Sequence, residues 1–390
     1  MQLDQVQREA VDRATSSGFA MINGGAGTGK TTIIDTIARE IGRDVELCAF
    51  AGKAAARLKE ATGKPAGTIH RLLKYNGVGF MAQSLAGFSV IVDEASMIPA
   101  DLLAEIVKRK PARLILVGDQ AQLPPVGRGQ PFHDLLELQP NRVTTLTTCY
   151  RNSEAVFKAA MSIRSGDMPL NSDTSENERW SISHTGSAEK THSRILDMIE
   201  AGFIDFDQDI ILIPRNGENE DTPCSVKGLN RDIAAIVAPR DEDETFLIGD
   251  RVINGKNFPE EDVWNGTTGK IESIDSDGCP WIRLDTPIKD WEGGGEKWHV
   301  RFDKKMKKHL SLAYALTVHK SQGSQYRNVL FAALKRDAHA LLDRSLIYTA
   351  VTRTRSGCCV VGQGNALQDG IRTVRHKRTV IQELSKQEGE

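Results

Sequence analysis

The chain has 390 residues, of which 39% are hydrophobic and 26% are charged, and its formal net charge is −2. This length is enough for two or three domains with sizeable cores, and the small net charge means that any nucleic-acid contact must come from local patches. The six cysteines show no C-x-x-C spacing and follow no secretory leader, and no stretch approaches the roughly 18 apolar residues of a membrane helix. We therefore expect a cytoplasmic protein without a disulfide framework, a zinc site or a membrane span.

The first chemical signal is the glycine-rich run GGAGTGKTT at residues 24–32, which fits the pattern G-x-x-x-x-G-K-[ST]. An apolar strand precedes it at 19–22, and apolar residues recur at helical spacing from 31 to 41. Loops of this kind bind phosphates through backbone N–H groups and a helix N-terminus, while the lysine reaches the β- and γ-phosphates. A flexible glycine turn is the alternative. The predicted nucleotide-binding residues are Gly25, Ala26, Gly27, Thr28, Gly29, Lys30, Thr31 and Thr32, with Thr31 as a ligand of Mg²⁺.

Further apolar strands follow at 46–50, 89–93 and 113–119, with helical stretches between them. This alternation predicts an α/β domain built on a parallel sheet. The strand VIVDEAS ends in Asp93 and Glu94, which would hold Mg²⁺ and polarise the attacking water, respectively.

The strand RLILVGD is followed by Gln122, whose amide is a candidate sensor of the γ-phosphate. The alternative is an ordinary polar turn that ends at Pro124 and Pro125.

A second alternating region begins near residue 143, with strands at 209–214 and 358–362. Between them, residues 245–310 carry glycine pairs, aromatic residues and short alternating stretches, which predict a small β-rich insertion. Arg151 and Arg353 are candidates for the cations that stabilise phosphoryl transfer, although each is equally compatible with a surface salt bridge.

Taken in order, these motifs resemble those of superfamily 1 class B DNA helicases of the RecD/Dda type. LDQVQREAV resembles the Q motif and TIHRLL the motif Ib of that family, while GDQAQLPPVG and LTVHKSQGS resemble motifs III and V. The segments LTTCYR and YTAVTRTR resemble motifs IV and VI. The resemblance adds Gln7 as the adenine reader and Tyr150 as a further nucleotide contact.

The resemblance implies two tandem RecA-like P-loop domains, with ATP in the cleft between them and single-stranded DNA lying across both. The first domain would cover residues 1–140, the second 141–244 with 311–390, and a small β-barrel would be inserted at 245–310. Residues 74–88 would be a short pin that splits the duplex, with Phe80 and Met81 against the end base pair. Core positions for Tyr75, Phe80 and Phe88 are an equally good interpretation. The implied DNA contacts are Lys53, Arg57, Thr68, His70, Phe80, Thr317, His319 and Lys320.

The implied activity is ATP- and Mg²⁺-dependent movement from 5′ to 3′ on single-stranded DNA, with separation of duplex DNA that carries a 5′ tail. We expect a monomer that contacts no membrane and serves replication, recombination or repair. Since the sequence starts at the Q motif, we expect no leader domain. Departures from the family pattern at Ala51, Asn152 and Gln325 affect strand-contact strength and nucleotide preference.

Two other functions remain open. One is a translocase or complex subunit that does not unwind by itself, which the short pin region favours. The other is a P-loop kinase for a small molecule, which leaves the later motifs unexplained. The basic runs at 304–309 and 372–378 are either extra nucleic-acid contacts or solvated faces.

Overall fold

The computed structural model describes residues 3–150, 154–175, 178–217, 222–241, 244–289, 295–338, 341–375, 377 and 379. The chain divides into two compact units, one formed by residues 1–152 with 375–390 and the other by residues 153–374. No helix within these described ranges is long and apolar enough to span a membrane.

The first unit is a six-stranded sheet, covered by helices, in which every pairing is parallel. Its elements in chain order are α1 (Gln5–Ser16), β1 (Phe19–Gly24), α2 (Lys30–Ile41), β2 (Val45–Ala49), α3 (Gly52–Thr62), β3 (Ala66–Thr68), α4 (Ile69–Leu72), β4 (Ser89–Asp93), α5 (Ala100–Lys108), β5 (Arg113–Gly118), α6 (Pro131–Leu138) and β6 (Val143–Leu146). The strand order in the sheet is β3-β2-β4-β5-β1-β6. The predicted α/β fold and parallel sheet are confirmed.

Alternate residues of each strand in this sheet enter separate cores, as the two-residue period of a strand requires. On one face, Ala20 and Ile22 of β1 belong to a buried cluster that includes residues of α1, α2 and α3. On the other face, Met21 belongs to a cluster that includes α5 residues and Phe132 of α6. The apolar runs of these strands therefore reflect burial on both faces.

Strand β6 extends the first unit beyond the predicted boundary. It pairs in parallel with β1, where Met21 lies opposite Val143 and Gly24 opposite Leu146. The boundary predicted at residue 140 lies before this strand, whereas the first unit continues to residue 152. A prediction from chain order alone placed β6 in the second domain because the sequence does not record which strand it pairs with.

The elements of the second unit are α7 (Glu154–Ser165), β7 (Ser172–Ser175), β8 (Glu178–Thr185), α8 (Ala188–Glu200), β9 (Ile210–Ile213), α9 (Val226–Val237), β10 (Arg251–Asn254), β11 (Thr268–Ile274), β12 (Pro280–Lys289), β13 (Glu296–Arg301), α10 (Lys304–Lys307), β14 (Leu310–Leu312), β15 (Ala315–Thr317), β16 (Tyr326–Ala333), α11 (Lys335–Ala338), α12 (Arg344–Val351), β17 (Thr354–Gln363) and α13 (Ala366–Arg372). Six of the strands form a sheet of order β15-β9-β16-β17-β8-β7, which is parallel except for the antiparallel edge strand β7.

The predicted β-rich insertion is present, but a closed barrel is not confirmed. Strands β10 to β14 form a five-stranded antiparallel sheet of order β13-β12-β11-β10-β14. Its edge strands, β13 and β14, do not pair with each other within the described residues. The sheet has its own buried cluster, which includes Val252, Ile282 and Phe302. The alternating pattern predicted the strands, but barrel closure depends on an edge pairing that the pattern does not encode.

Candidate functional site

The phosphate-loop sequence forms a compact turn between β1 and α2. Gly27 and Gly29 have φ angles of 80° and 81°, a left-handed conformation that favours glycine. A Cβ atom on Gly29 would lie 2.6 Å from the side-chain nitrogen of Gln7. The Nζ atom of Lys30 donates to the carbonyl oxygens of Gly24 at 2.6 Å and of Gly25 at 2.9 Å. The loop thus curves around the lysine ammonium at the N-terminus of α2.

Two segments of the first unit that are far apart in sequence contact this loop. Gln7 is buried in α1, and its amide nitrogen donates to the Thr28 carbonyl at 3.2 Å. The backbone N–H of Tyr150 donates to the Gly27 carbonyl at 2.8 Å. These contacts place Gln7 and Tyr150, which entered the predicted set only through family resemblance, against the phosphate loop.

Asp4 links the same two segments. Its carboxylate accepts the Gln7 backbone N–H at 2.7 Å, while the Gln7 side chain accepts the Asp4 N–H at 3.1 Å, which closes a capping box at the start of α1. The Tyr150 hydroxyl also donates to this carboxylate. That hydrogen bond is the main reason why the pKa of Asp4 is lowered and the pKa of Tyr150 is raised.

Asp93 and Glu94 lie at the same edge of the sheet as the phosphate loop. Asp93 ends β4, which pairs with β5, and β5 pairs with β1; all three strands run in parallel. The Glu94 backbone N–H donates to the Asp93 carboxylate at 2.9 Å, and Glu94 itself is buried with a left-handed φ of 51°. Because the carboxyl ends of parallel strands lie along one edge of a sheet, the acidic pair and the phosphate loop lie at the same edge.

The electrostatics of this edge are dominated by the cost of burying a carboxylate. Burial and, to a lesser degree, the charge of Glu94 raise the pKa of Asp93 to about 6, whereas the charges of Lys30 and Arg57 act in the opposite direction. Arg57, which was predicted to contact DNA, therefore lies within electrostatic reach of Asp93. Adjacent carboxylates with a raised pKa favour a nearby cation.

We expect Asp93→Asn to stabilise the protein at neutral pH. The folded protein holds the Asp93 proton more tightly than the unfolded chain, so the ionised side chain lowers the free energy of unfolding above a pH of about 6. Removing that charge should raise the free energy of unfolding by about 1–2 kcal/mol at pH 7.5, a figure reduced to allow for the partial exposure of the side chain.

Urea denaturation of both proteins without Mg²⁺ and nucleotide measures this difference. The gain should shrink as the pH falls from 6 to 4, because the folded state then binds the proton and no longer holds a buried charge. A destabilised Asp93→Asn protein, or the same gain at both ends of this range, would contradict the assignment.

The predicted sensor Gln122 is buried beside the same edge. Its amide nitrogen donates to Asp119 at 3.3 Å, and Asp119 is fully buried at the end of β5. The neighbouring Gln120 N–H donates to the side chain of Asn23 at 3.2 Å. Neither Asp119 nor Asn23 is among the predicted site residues, although a polar residue at the end of a buried strand was the signal that could have found them.

Among the other residues of the first unit predicted to contact DNA, two lie near the start of α4. The Thr68 hydroxyl caps this helix by accepting the Arg71 N–H at 3.2 Å. His70 packs among Phe50, Tyr75 and Phe80, with ring centroids 6.3, 5.6 and 5.9 Å away, and burial lowers its pKa. Lys53 lies half-buried in the first turn of α3.

Residues 74–88 contain a small antiparallel turn, in which Tyr75 bridges Phe80. Phe80 is half-buried, and Arg109 donates to its carbonyl at 3.1 Å. The most exposed apolar side chains of this segment are Val78, which is 95% exposed, and Met81, which is 61% exposed; Tyr75 is 47% exposed and Phe88 is 39% exposed. Of the two side chains predicted to contact the end base pair, Met81 is exposed and Phe80 is half-buried. On exposure alone, Val78 and Met81 fit that contact better than Phe80.

In the second unit, Thr317 is buried at the end of β15 and its hydroxyl accepts the Lys320 N–H at 3.3 Å. His319 and Lys320 follow in a short helical turn, in which Lys320 is exposed and burial lowers the pKa of His319. The structure thus brings these three predicted contacts together.

Arg353 is buried, which does not fit a surface salt-bridge arginine. Its Nε atom donates to the Thr349 carbonyl at 3.2 Å, and its backbone carbonyl accepts the Tyr326 N–H at 2.9 Å. Arg151, the other candidate cation, lies outside the described residues.

Comparison with known proteins supports the family indicated by the motifs. A family model described as an AAA domain matches residues 2–184, and one described as a UvrD-like helicase C-terminal domain matches residues 312–361. The ATP-dependent RecD2 DNA helicase of Deinococcus radiodurans is 32% identical over 399 residues, which cover 96% of this chain and 51% of the relative. Over most of its length the chain is therefore similar to RecD-type helicases.

A second RecD-type relative is the RecBCD enzyme subunit RecD of Mycolicibacterium smegmatis, 28% identical over 91% of this chain and 70% of the relative. The chain spans about half the length of the Deinococcus relative. Among solved structures, the Bacteroides Pif1 helicase bound to single-stranded DNA covers 100% of this chain and 98% of its own, with a TM-score of 0.55 and 18% identity. That likeness shows a shared fold.

Proposed function

We propose that this chain is an ATP-dependent DNA helicase that moves from 5′ to 3′ on single-stranded DNA and separates duplex DNA. The observation that carries the proposal is the shared sheet edge at which the phosphate loop meets Asp93 and Glu94. The similarity to the ATP-dependent RecD2 DNA helicase of Deinococcus radiodurans supports it, and so does the single-stranded DNA bound to the Pif1 helicase of the same fold. The direction of movement rests on the family resemblance.

Most of the residues proposed for the nucleotide chemistry lie in the first unit. The backbone N–H groups of the phosphate loop and the start of α2 bind the phosphates of ATP, and Lys30 exchanges its carbonyl partners for the β- and γ-phosphates. Glu94 orients the attacking water and accepts its proton. Gln122 reads the γ-phosphate, and Arg151 and Arg353 neutralise the charge that develops on it.

The residues at this edge also fit a magnesium ion. Thr31 and Asp93 would hold it, and a hydroxyl and one carboxylate suffice because phosphates and waters complete the coordination of Mg²⁺. The raised pKa of Asp93 beside Glu94 marks a place where a cation is favoured. Among the described residues, no group of three or more His, Cys, Asp or Glu side chains forms a metal cluster of the protein's own. When bound, Mg²⁺ neutralises charge on the transferring phosphoryl group.

Single-stranded DNA would be held mainly through its backbone. Thr68 and Thr317 begin helical turns, where hydroxyl and N–H groups suit phosphate oxygens, and the exposed Lys320 adds a charge. Lys53, Arg57, His70 and His319 complete the proposed contacts. Such binding reads little sequence and weakens with salt.

Strand separation on three short DNA duplexes tests the proposal. The duplexes carry a 5′ tail, a 3′ tail or no tail, and ATP hydrolysis is measured on each with Mg²⁺ present. Separation of the 5′-tailed duplex alone supports the helicase and its direction together. ATP hydrolysis that DNA does not stimulate would contradict the proposal and favour a small-molecule kinase.

A translocase or complex subunit without autonomous unwinding is the second candidate, because the turn at residues 74–88 is small.

We expect the double substitution of Val78 and Met81 by serine to reduce strand separation at least tenfold, since these exposed side chains would contact the end base pair. DNA-stimulated ATP hydrolysis should stay within twofold of wild type. Val107→Ser, which removes another half-exposed valine of the same unit, is the matched control. Equal loss of both activities would show that the turn is structural.

A further inference from the structure

The basic segment near the C-terminus contacts a loop beside the nucleotide site. This proline loop, residues 123–129, begins directly after Gln122. Lys377 Nζ donates to the Pro125 carbonyl at 2.9 Å and also to the Gly127 carbonyl. Thr379, which follows, is buried. An ammonium bonded to two carbonyls is a charge-assisted anchor, which a purely solvated basic face would not make.

The proline loop in turn packs on the segment that follows the acidic pair. A Cβ atom on Gly127 would lie 2.6 Å from the Pro99 side chain, and one on Gly129 would lie 2.9 Å from Ala100. The Ala100 N–H donates to the Arg128 carbonyl at 2.8 Å. The loop is therefore fixed at one end by Gln122 and along its length by the residues after Glu94.

The chain leading to Lys377 follows α13, which packs on α12, the helix that ends just before Arg353. Arg353 follows α12, and Arg344 at the start of α12 bonds to the end of α13: its backbone N–H donates to the Thr373 carbonyl at 3.0 Å and its side chain to the Ile371 carbonyl at 2.9 Å. A Cβ atom on Gly370 of α13 would lie 2.7 Å from Ile347 of α12, so the two helices pack closely. The chain returns from the second unit to the first between Val374 and Arg375.

We propose that Lys377 is a positioning residue that ties this returning chain to the proline loop and thereby couples the state of the nucleotide site to α12 and α13. The inference rests on the proposed function for its consequence, but not for its geometry. When the contacts of Gln122 change with the γ-phosphate, the proline loop moves, and Lys377 passes that movement to the chain that follows α13. Lys377 acts through the loop and touches no reacting atom.

Hydrogen exchange on the full-length protein tests the tether without DNA. Lys377→Met should raise amide exchange in residues 123–129 about tenfold, because the loop loses its anchor. Adding ATP with Mg²⁺ should change exchange in α13 of the wild type, and Lys377→Met should abolish that change. Lys377→Arg should restore it, since the guanidinium also donates to carbonyls. Arg372→Met, which removes an exposed charge nearby, should behave as wild type.

A coupling measurement then separates the tether from a plain DNA contact. Lys377→Met should raise the ATP consumed per base pair separated at least threefold, with affinity for single-stranded DNA within twofold of wild type. An equal loss of DNA affinity in Lys377→Met and Arg372→Met would overturn the proposal in favour of a basic DNA contact. Unchanged exchange in Lys377→Met would also overturn it. If the wild type hydrolyses ATP without stimulation by DNA, the proposed function fails, and the exchange result still decides the tether.

Discussion

Lys30→Met should lower ATP turnover by about a thousandfold, the largest effect that we expect from any single substitution. The ammonium is held by the Gly24 and Gly25 carbonyls at the N-terminus of α2, where we propose that the loop binds the phosphates of ATP. Methionine keeps the length of the side chain but removes its charge and its donors. Steady-state ATP hydrolysis with saturating single-stranded DNA measures the loss.

Lys64→Met provides a matched control for this substitution. Lys64 also donates from Nζ to a backbone carbonyl, that of Ala38 at 3.0 Å, but it lies outside the phosphate loop. Its removal should leave turnover within twofold of wild type. Substantial hydrolysis by Lys30→Met, or an equal loss in Lys64→Met, would show that the phosphate loop does not act through Lys30.

Glu94→Gln should lower turnover by about a hundredfold to a thousandfold and leave ATP affinity within about threefold of wild type. The buried carboxylate lies at the sheet edge of the phosphate loop, where it can accept a proton from water; the amide cannot. Glutamine has nearly the same shape, so the left-handed turn at this position should persist. Single-turnover hydrolysis and equilibrium binding of a fluorescent ATP analogue separate the two effects.

Asp101→Asn removes an exposed carboxylate from α5 in the same unit and controls for the general loss of negative charge. It should hydrolyse ATP at the wild-type rate. If Glu94→Gln also hydrolyses ATP at that rate, Glu94 does not activate the water.

The candidate site residues of the first unit could largely be predicted from local sequence patterns. The phosphate loop needs a strand, a glycine turn and a helix in immediate succession, so residues 19–41 carry the whole signal. Asp93 and Glu94 were recognisable because they end an apolar strand, and a parallel sheet brings strand ends to one edge. These features depend on sequence neighbours or on the general geometry of a parallel sheet.

Contacts between segments far apart in sequence could not be predicted from local patterns. The pairing of β6 with β1 and the hydrogen bond between Tyr150 and Asp4 join residues more than 100 positions apart. The burial of Arg353 and the anchor made by Lys377 depend on which segments pack together, and a charged residue carries no local sign of either. Gln7 entered the predicted site only through the family resemblance.

The contact between Asp4 and Tyr150 has a mechanical consequence. The side chains of Asp4 and Tyr150 are hydrogen-bonded, so the two ends of the chain stretch between them lie at one place. Tyr150 also bonds through its backbone to Gly27 of the phosphate loop. A force applied at Tyr150 therefore loads the phosphate loop and the first helix through these hydrogen bonds, as well as β6 through the chain itself.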